Sequence, residues 1–164
     1  MNATLAAWNA ADEPAALEAM LACCGARQWA EAMIALRPIA GVQEMSEAAD
    51  RIWSTMKEAD WMEAFACHPR IGERKATHAT AQSAAWSRQE QSLADAAHEQ
   101  VLAELAAGNA QYEERYGFTY IVCATGRSAD EMLAILKRRL GSDRAAELRE
   151  AAEQQRQIIQ IRLG

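Results

Sequence analysis

The chain has 164 residues, a length that suits one domain, and we expect a single domain over residues 1–164. Hydrophobic residues make up 51% of it, and the helix formers Ala, Leu, Glu and Gln are abundant, which favours a helical protein with a core of ordinary size. The formal net charge of −6 argues against a nucleic-acid-binding protein.

The N-terminal sequence has no basic stretch followed by an apolar core, so it does not predict a signal peptide. No apolar run approaches membrane-spanning length. The cysteines are irregularly spaced and form no C-x-x-C pair, which is typical of free thiols in a reducing compartment. They are Cys23, Cys24, Cys67 and Cys123. We therefore expect a cytoplasmic protein that does not contact a membrane.

Four short helices are predicted in the first half of the chain. Asp12 is placed to cap the first, which stops at Gly25, and Pro38 ends the second. Ser46 is placed to cap the third and Asp60 the fourth. The fourth helix runs into the sequence CHPRIGER, where a proline breaks it.

The second half predicts three helices around one extended segment. Ser87 and Glu90 form an S-x-x-E capping box, and the helix after it is expected to end at Gly117. The run FTYIVCAT has an aromatic and β-branched bias, so we expect one short extended segment near 118–125, apart from any sheet. Serines are placed to cap the last two helices: Ser128 and Ser142. The predicted fold class is an all-α, single-domain multi-helix bundle.

His68 stands directly before Pro69, where a helix ends. Proline disfavours helical backbone in the preceding residue, so the His68 ring projects from a fixed, extended position. The negative end of the helix dipole would favour the imidazolium, and a nearby carboxylate would favour it further. That arrangement gives a proton donor near neutral pH. The alternative is a histidine that only caps helix carbonyls.

Glu90 also has two interpretations. It is the reciprocal half of the capping box with Ser87. As a functional carboxylate it would stay ionised at the helix N-terminus, where free N–H groups can hold an anionic or carbonyl ligand. Ser87 and Gln91 would add a hydroxyl and an amide on the same turn.

Arg162 extends the apolar stripe of the last predicted helix. The stripe comprises Leu148, Ala151, Ala152, Gln155, Ile158 and Ile159. An arginine that faces a core needs an anionic partner or an exit to water. Arg162 therefore either holds an anion or is a snorkelling residue at the helix end.

Three other signals are weak. The sequence HEQVL at 98 lacks the second histidine of a zinc motif, and GRS at 126 has no phosphate-loop pattern, so neither a metal nor a phosphate loop is indicated. Cys67 beside His68 is not a nucleophile–base pair, because adjacent side chains generally diverge.

Five motifs occur in order along nearly the whole chain. They are His-Pro-x-x-Gly at 68–72, S-x-x-E-Q at 87–91, N-x-x-Y-x-x-R-Y-G-F at 109–118, Y-I-V-C-A at 120–124 and I-R-L at 161–163. In this set the chain resembles the 2-oxo-4-hydroxy-4-carboxy-5-ureidoimidazoline (OHCU) decarboxylase family of urate breakdown. The resemblance implies an all-helical homodimer that turns OHCU, a small-molecule substrate, into (S)-allantoin and carbon dioxide, with no metal or organic cofactor.

The resemblance also implies roles for individual residues. His68 matches the family's catalytic proton donor, and Glu90 matches its acidic partner. The positions that match substrate-binding stretches are Pro69, Ser87, Arg88, Gln89, Glu90, Gln91, Tyr120, Ile121, Val122, Cys123, Ala124 and Arg162. The chain departs from the family pattern at Arg70 and Ile71, which precede Gly72, and at Tyr120, where phenylalanine is usual.

Two other classes of protein compete with the decarboxylase. One is a non-catalytic helical module that keeps the scaffold and binds a ligand or a protein. The other is a hydrolase or isomerase that acts on a related ureide with the same proton-transfer pair. Retention of His68, Glu90 and Arg162 together argues against the binding module, since capping alone would not require these residue types.

Overall fold

The structure is a computed structural model that describes residues 3–68 and 99–164. Within these two stretches the chain forms eight α-helices and no strand. The helices are α1 (Ala3–Ala10), α2 (Glu13–Cys23), α3 (Arg27–Ile34), α4 (Val42–Ser54), α5 (Glu58–Ala66), α6 (Glu99–Tyr116), α7 (Ala129–Arg139) and α8 (Arg144–Leu163). The prediction of an all-α fold is confirmed. None of these eight helices is both long and apolar enough to cross a bilayer.

Several helix boundaries follow local sequence signals. The Asp12 carboxylate accepts a hydrogen bond from the backbone N–H of Ala15 at 2.9 Å and caps α2. The Ser128 hydroxyl accepts one from the backbone N–H of Glu131 at 3.1 Å and caps α7. Gly117 ends α6 with a φ of 82°, a left-handed conformation that favours glycine.

Two predictions in the first half were wrong. Helix α4 begins at Val42, so Ser46 lies inside it, and its hydroxyl donates to Gln160 Oε1 on α8 instead of capping. Helix α3 ends at Ile34, before Pro38 is reached. Both differences arise from tertiary contacts or local turns that a cap pattern does not contain.

Two further caps are shifted by a few residues. Asp60 is the third residue of α5 and accepts from the backbone N–H of Lys57 at 3.1 Å, so it completes a capping box instead of starting the helix. Asp143, not Ser142, caps α8 by accepting from Ala146 N at 2.7 Å. Where two capping residues stand side by side, the pattern alone does not choose between them.

Helix α8 is the element on which the candidate site is built. It packs against α2, α4 and α6. The predicted stripe is buried at every position: Leu148, Ala151, Ala152, Gln155, Ile158 and Ile159. Each fully buried Leu or Ile contributes about 2 kcal/mol to folding. The same helix also buries four polar or charged side chains, Glu147, Gln154, Gln155 and Arg162, which is uncommon for a core-facing helix.

Tryptophans anchor the helices to one another. The Trp53 indole on α4 donates to the carbonyl of Ala152 on α8 at 2.9 Å, and the Trp29 indole on α3 donates to that of Ala49 on α4 at 3.2 Å. Both rings are buried. These bonds fix α8 against the N-terminal helices, and so fix the position of the residues it carries.

Candidate functional site

His68 stands two residues beyond the end of α5. Its backbone N–H donates to the carbonyl of Phe65 at 3.1 Å, which closes the last turn. The Phe65 ring packs on Phe118 with 5.5 Å between centroids, so the end of α5 is joined to the start of the extended segment. The ring of His68 is half-buried. The histidine thus follows a helix end, as its sequence context predicts.

Gly25 allows the connection between α2 and α3 to approach Cys67, the residue before His68. Gly25, in the connection between α2 and α3, lies against Cys67, and a Cβ at Gly25 would overlap the Cys67 Sγ atom and lie 2.8 Å from its Cβ. Any larger residue would push the end of α5 away. Gly25 therefore helps to set where His68 is held.

Gln155 is the partner of the His68 ring. The Nε2 atom of His68 and Oε1 of Gln155 are 2.7 Å apart. Since a carbonyl oxygen only accepts, the ring N–H that donates is on Nε2, which leaves Nδ1 as an acceptor in the neutral imidazole. Gln155 itself is fully buried in α8.

The described surroundings of His68 favour its neutral form. Burial and, to a smaller extent, the Arg162 guanidinium lower the pKa of His68 from its ordinary 6.5 to about 3, although the hydrogen bond to Gln155 acts in the opposite direction. This differs from the expectation that the helix terminus would favour the imidazolium. Desolvation and a nearby guanidinium outweigh the helix dipole here, and neither is visible in the sequence around His68.

Arg162 faces inward, as the apolar stripe predicts. Its side chain is buried, and its Nη1 donates to the carbonyls of Ala22 and Cys23 at 3.3 and 3.5 Å, at the C-terminal end of α2. Helix-end carbonyls are a favourable partner for a cation. The guanidinium charge also acts on the Cys67 thiol and on His68. Arg162 is therefore a cation within the candidate site and not a residue that snorkels to water.

The extended segment is present as predicted. Residues 120–124 form neither helix nor strand, and all five are buried. Within the described stretches, no hydrogen bond reaches the backbone N–H groups of Ile121 and Val122. Buried N–H groups are nearly always paired in folded proteins. These two N–H groups are therefore candidate donors to a ligand.

Side chains hold three other backbone groups of the segment. Gln154 Oε1 accepts from the N–H of Cys123 at 2.8 Å, and Arg139 Nη1 donates to the carbonyl of Ile121 at 2.6 Å. Arg127 Nε donates to the carbonyl of Cys123 at 3.0 Å. The Tyr120 hydroxyl donates to the carbonyl of Met132 at 3.0 Å, so the departure from phenylalanine adds an anchor to α7.

A buried ion pair between Arg139 and Glu147 anchors this segment, because Arg139 also holds the carbonyl of Ile121. Arg139 Nε lies 2.7 Å from Glu147 Oε1, and both side chains are almost fully buried. The Tyr112 hydroxyl donates to the same Glu147 oxygen at 2.6 Å. The Arg139 guanidinium also lies over the Tyr120 ring, 5.0 Å from its centroid. The network therefore ties α6, α7 and α8 to the segment.

The thiols near His68 are poorly suited to nucleophilic chemistry. Burial raises the pKa of Cys67, Glu63 adds to that effect, and Arg162 opposes it. Burial raises the pKa of Cys23 to about 12. Both groups stay protonated at neutral pH, which agrees with the sequence argument against a Cys67–His68 pair. Among the described residues, no cluster of three metal-ligating side chains occurs.

Helix α8 thus contacts His68 through Gln155 and the segment 120–124 through Gln154, and it carries Arg162, whose charge acts on the His68 ring. Sequence reasoning missed Gln154 and Gln155 as site residues. The signal that would have found them is the run of polar residues on the buried side of the last helix. The remaining predicted site residues lie outside the described part of the chain: Pro69, Ser87, Arg88, Gln89, Glu90 and Gln91.

Comparison with known proteins identifies relatives of this chain. The family model described as OHCU decarboxylase matches residues 9–164. The uric acid degradation bifunctional protein TTL of Arabidopsis thaliana is 35% identical over 143 residues, which cover 87% of this chain and 44% of that protein. The 2-oxo-4-hydroxy-4-carboxy-5-ureidoimidazoline decarboxylase of Amia calva is 29% identical over 130 residues, with 77% of this chain and 73% of that protein covered.

A solved structure shares the fold. The crystal structure of OHCU decarboxylase in the presence of (S)-allantoin superposes with a TM-score of 0.77 at 34% identity, covering 89% of this chain and 94% of that one. The present chain spans less than half the length of the Arabidopsis relative, but nearly all of this structure. On the family match over residues 9–164, the chain belongs to the OHCU decarboxylase family.

Proposed function

We propose that the chain decarboxylates OHCU to (S)-allantoin and carbon dioxide in urate catabolism, without a cofactor. The observation that carries the proposal is a histidine at the end of α5 whose ring is acted on by the charge of a buried guanidinium, Arg162, in a chain of this family. A titratable ring and a fixed cation next to each other suit a reaction in which an anionic group leaves and a proton arrives.

The proposed step needs little from the protein beyond orientation and one proton. The bond between the ring carbon and the carboxylate breaks, and carbon dioxide leaves. The electron pair moves onto a carbon conjugated with an imidazoline nitrogen or its adjacent carbonyl, so the substrate is its own electron sink. His68 then delivers a proton to one face of the substrate, which sets the S configuration of the product.

His68 must acquire that proton although its described surroundings favour the neutral ring. An anionic substrate placed beside Arg162 would offset the guanidinium charge and raise the pKa of His68. We propose that Glu90, the family's acidic partner by resemblance, pairs with His68 and has the same effect. His68 would then be protonated only while the substrate is bound.

Arg162 and the extended segment are proposed to hold the substrate. A buried guanidinium binds a carboxylate or a carbonyl oxygen strongly, because the site is dry and the donor geometry is fixed. The N–H groups of Ile121 and Val122, which have no partner among the described residues, suit the ureido and ring carbonyls. Substrate contacts by Pro69 and by residues 87–91 are proposed from the resemblance alone.

The test uses OHCU made freshly from urate by the two preceding enzymes. Circular dichroism would follow (S)-allantoin, and a carbon dioxide sensor would follow decarboxylation. The proposal expects both signals to rise together, faster than in buffer. A ureide hydrolase or isomerase would consume OHCU without the carbon dioxide signal, and a binding module would leave the spontaneous, racemic decay unchanged. Either result would overturn the proposal.

We also propose that the protein is a cytoplasmic homodimer whose protomer is one domain over residues 1–164, as the resemblance implies. Light scattering coupled to gel filtration would test the assembly. A mass near twice the 18.0 kDa of the chain is expected, and a monomer at micromolar concentration would contradict it.

A further inference from the structure

We propose that Gln155 is both a positioning residue for His68 and a donor to the bound substrate. Its carbonyl end holds the histidine ring, and its amide N–H₂ end meets an acceptor oxygen of the ligand. The inference rests on the proposed function, since it names a further residue of the same site.

The first observation is the contact itself. Gln155 Oε1 lies 2.7 Å from His68 Nε2, which is a short, well-formed hydrogen bond between side chains 87 residues apart in sequence. It links the end of α5 to the middle of α8. It also selects the tautomer in which Nε2 carries the proton and Nδ1 is free to accept.

The second observation is an unpaired donor at the other end of the amide. Gln155 is completely buried, yet its Nε2 has no hydrogen-bond partner among the described residues. A buried amide N–H₂ without a partner is costly, and such groups in native structures call for an explanation. A carbonyl or carboxylate oxygen of a bound molecule would provide the missing acceptor.

The neighbouring Gln154 shows a side-chain amide of this helix that is fully paired within the protein. Gln154 Oε1 accepts from the N–H of Cys123, and its Nε2 donates to Glu150 Oε1 at 3.1 Å. Both ends of that amide are paired within the protein. Gln155 differs because only the end that faces His68 is paired.

The unpaired donor lies close to the proposed proton donor, His68. The two atoms of the Gln155 amide belong to one planar group, so Nε2 is close to the His68 ring that Oε1 contacts. Arg162 is seven residues further along α8, two turns on the same face, and its charge acts on the same ring. Gln155 and Arg162 therefore place two donors on one face of α8, which suits a ligand that presents oxygen acceptors, such as a ureide or its carboxylate.

The experiment compares Gln155→Met, which removes both polar ends, with Gln155→Glu, which keeps the acceptor and removes the donor. Gln157→Met, the same change on a half-buried residue of the same helix, is the control. Nitrogen NMR of the imidazole in the ligand-free protein reports the His68 tautomer and pKa. Titration with (S)-allantoin reports affinity, and steady-state assays separate KM from kcat.

Gln155→Glu is expected to raise the pKa of His68, because a carboxylate replaces a neutral amide, and to weaken (S)-allantoin binding about tenfold. In Gln155→Met, the His68 ring is expected to lose its preference for the tautomer protonated at Nε2, and (S)-allantoin is expected to bind about tenfold more weakly, as in Gln155→Glu. If Gln155→Met fails to fold, the comparison of wild type with the isosteric variant Gln155→Glu tests the inference. If the tautomer and pKa of His68 and the affinity for (S)-allantoin are unchanged in the folded variants, Gln155 only packs in the core and the inference is overturned.

The readouts also separate this inference from the proposed function. The tautomer and pKa of His68 are measured without substrate, so they respond to Gln155 whether or not OHCU is decarboxylated. A wild-type protein that binds (S)-allantoin through Gln155 but does not accelerate the reaction would overturn the proposed function alone. If the protein is a decarboxylase but substitution of Gln155 changes neither the tautomer and pKa of His68 nor the affinity for (S)-allantoin, this inference alone is overturned.

Discussion

The imidazole of His68 is hydrogen-bonded through Nε2 to Oε1 of Gln155 at 2.7 Å, which ties the end of α5 to the last helix of the chain. Gln154, the preceding residue of that helix, holds the extended segment through the N–H of Cys123. Two adjacent glutamines thus hold two parts of the candidate site. Helix α8 supplies both glutamines and Arg162, so its packing controls the geometry of the site.

Removal of the Arg162 charge should raise the pKa of His68. In Arg162→Gln the guanidinium no longer disfavours the imidazolium, so the pKa should move up from about 3 while burial keeps it below the ordinary 6.5. Proton NMR of the His68 ring across pH measures the change. Arg156→Gln on the same helix is the control, since Arg156 pairs with Glu153 and Asp50 near the surface. An unchanged His68 pKa in Arg162→Gln would show that the guanidinium does not act on the ring.

The same ring should make the protein sensitive to acid. The pKa of His68 is lower in the folded state than in the unfolded state, so between pH 6.5 and about 3 only the unfolded state takes the proton. This contribution to stability is complete above pH 6.5 and is lost as the pH falls through that window. Urea unfolding at pH 7 and at pH 4.5 should show a larger loss for wild type than for His68→Gln. Equal losses in the two proteins would contradict a His68 that stays neutral in the folded state.

The ion pair between Arg139 and Glu147 should matter to stability far more than an exposed pair. Breaking it in Arg139→Met leaves a buried carboxylate and should cost about 3–5 kcal/mol of unfolding free energy. Arg144→Met, which breaks a pair with Glu58 that is about half exposed, should cost less than about 1 kcal/mol. Urea denaturation of both variants measures the contrast.

A double-mutant cycle sharpens this test. Glu147→Met added to Arg139→Met removes the uncompensated charge, so the double variant should be more stable than the sum of the two single losses predicts. If the losses simply add, the two side chains do not interact in solution. If both single variants are as stable as wild type, the buried network does not support the segment.

The thiols should react slowly in the native protein. Burial raises the pKa of Cys67 and of Cys23, so few thiolates exist at pH 8. With an aromatic disulfide reagent we expect the half-buried Cys67 to react first, and the buried cysteines to react only on unfolding. Full reaction in urea provides the reference. Rapid reaction of all four thiols without urea would contradict the packing around His68.

Local signals predicted much of the fold. The caps at Asp12 and Ser128 were found because a capping side chain acts within three residues of itself. The segment near 118–125 was found because its composition differs from that of the helices around it. Arg162 was predicted to face inward because it lies four residues after Ile158 and three after Ile159, which places it on the stripe of α8.

The chemistry of the site depended on contacts that the sequence does not display. Gln155 was grouped with the apolar stripe, and its role appears only when α5 is packed against α8. His68 was expected to be charged, because its sequence neighbours indicate a helix end but not burial beside Arg162. Ser46 was expected to cap a helix, but its hydroxyl contacts Gln160, which is 114 residues away. Each difference comes from long-range packing.

The central claim is that His68 is the proton donor of an OHCU decarboxylase, with Glu90 as its partner. The most direct test measures the rate of (S)-allantoin formation from fresh OHCU by circular dichroism for wild type, His68→Asn and Glu90→Gln. His78→Asn is the control, since no motif of the family includes His78. We expect the first two variants to lose about 10²-fold or more in rate while their far-ultraviolet spectra stay unchanged, and the control to match wild type. A folded His68→Asn protein that forms (S)-allantoin at the wild-type rate would contradict the account.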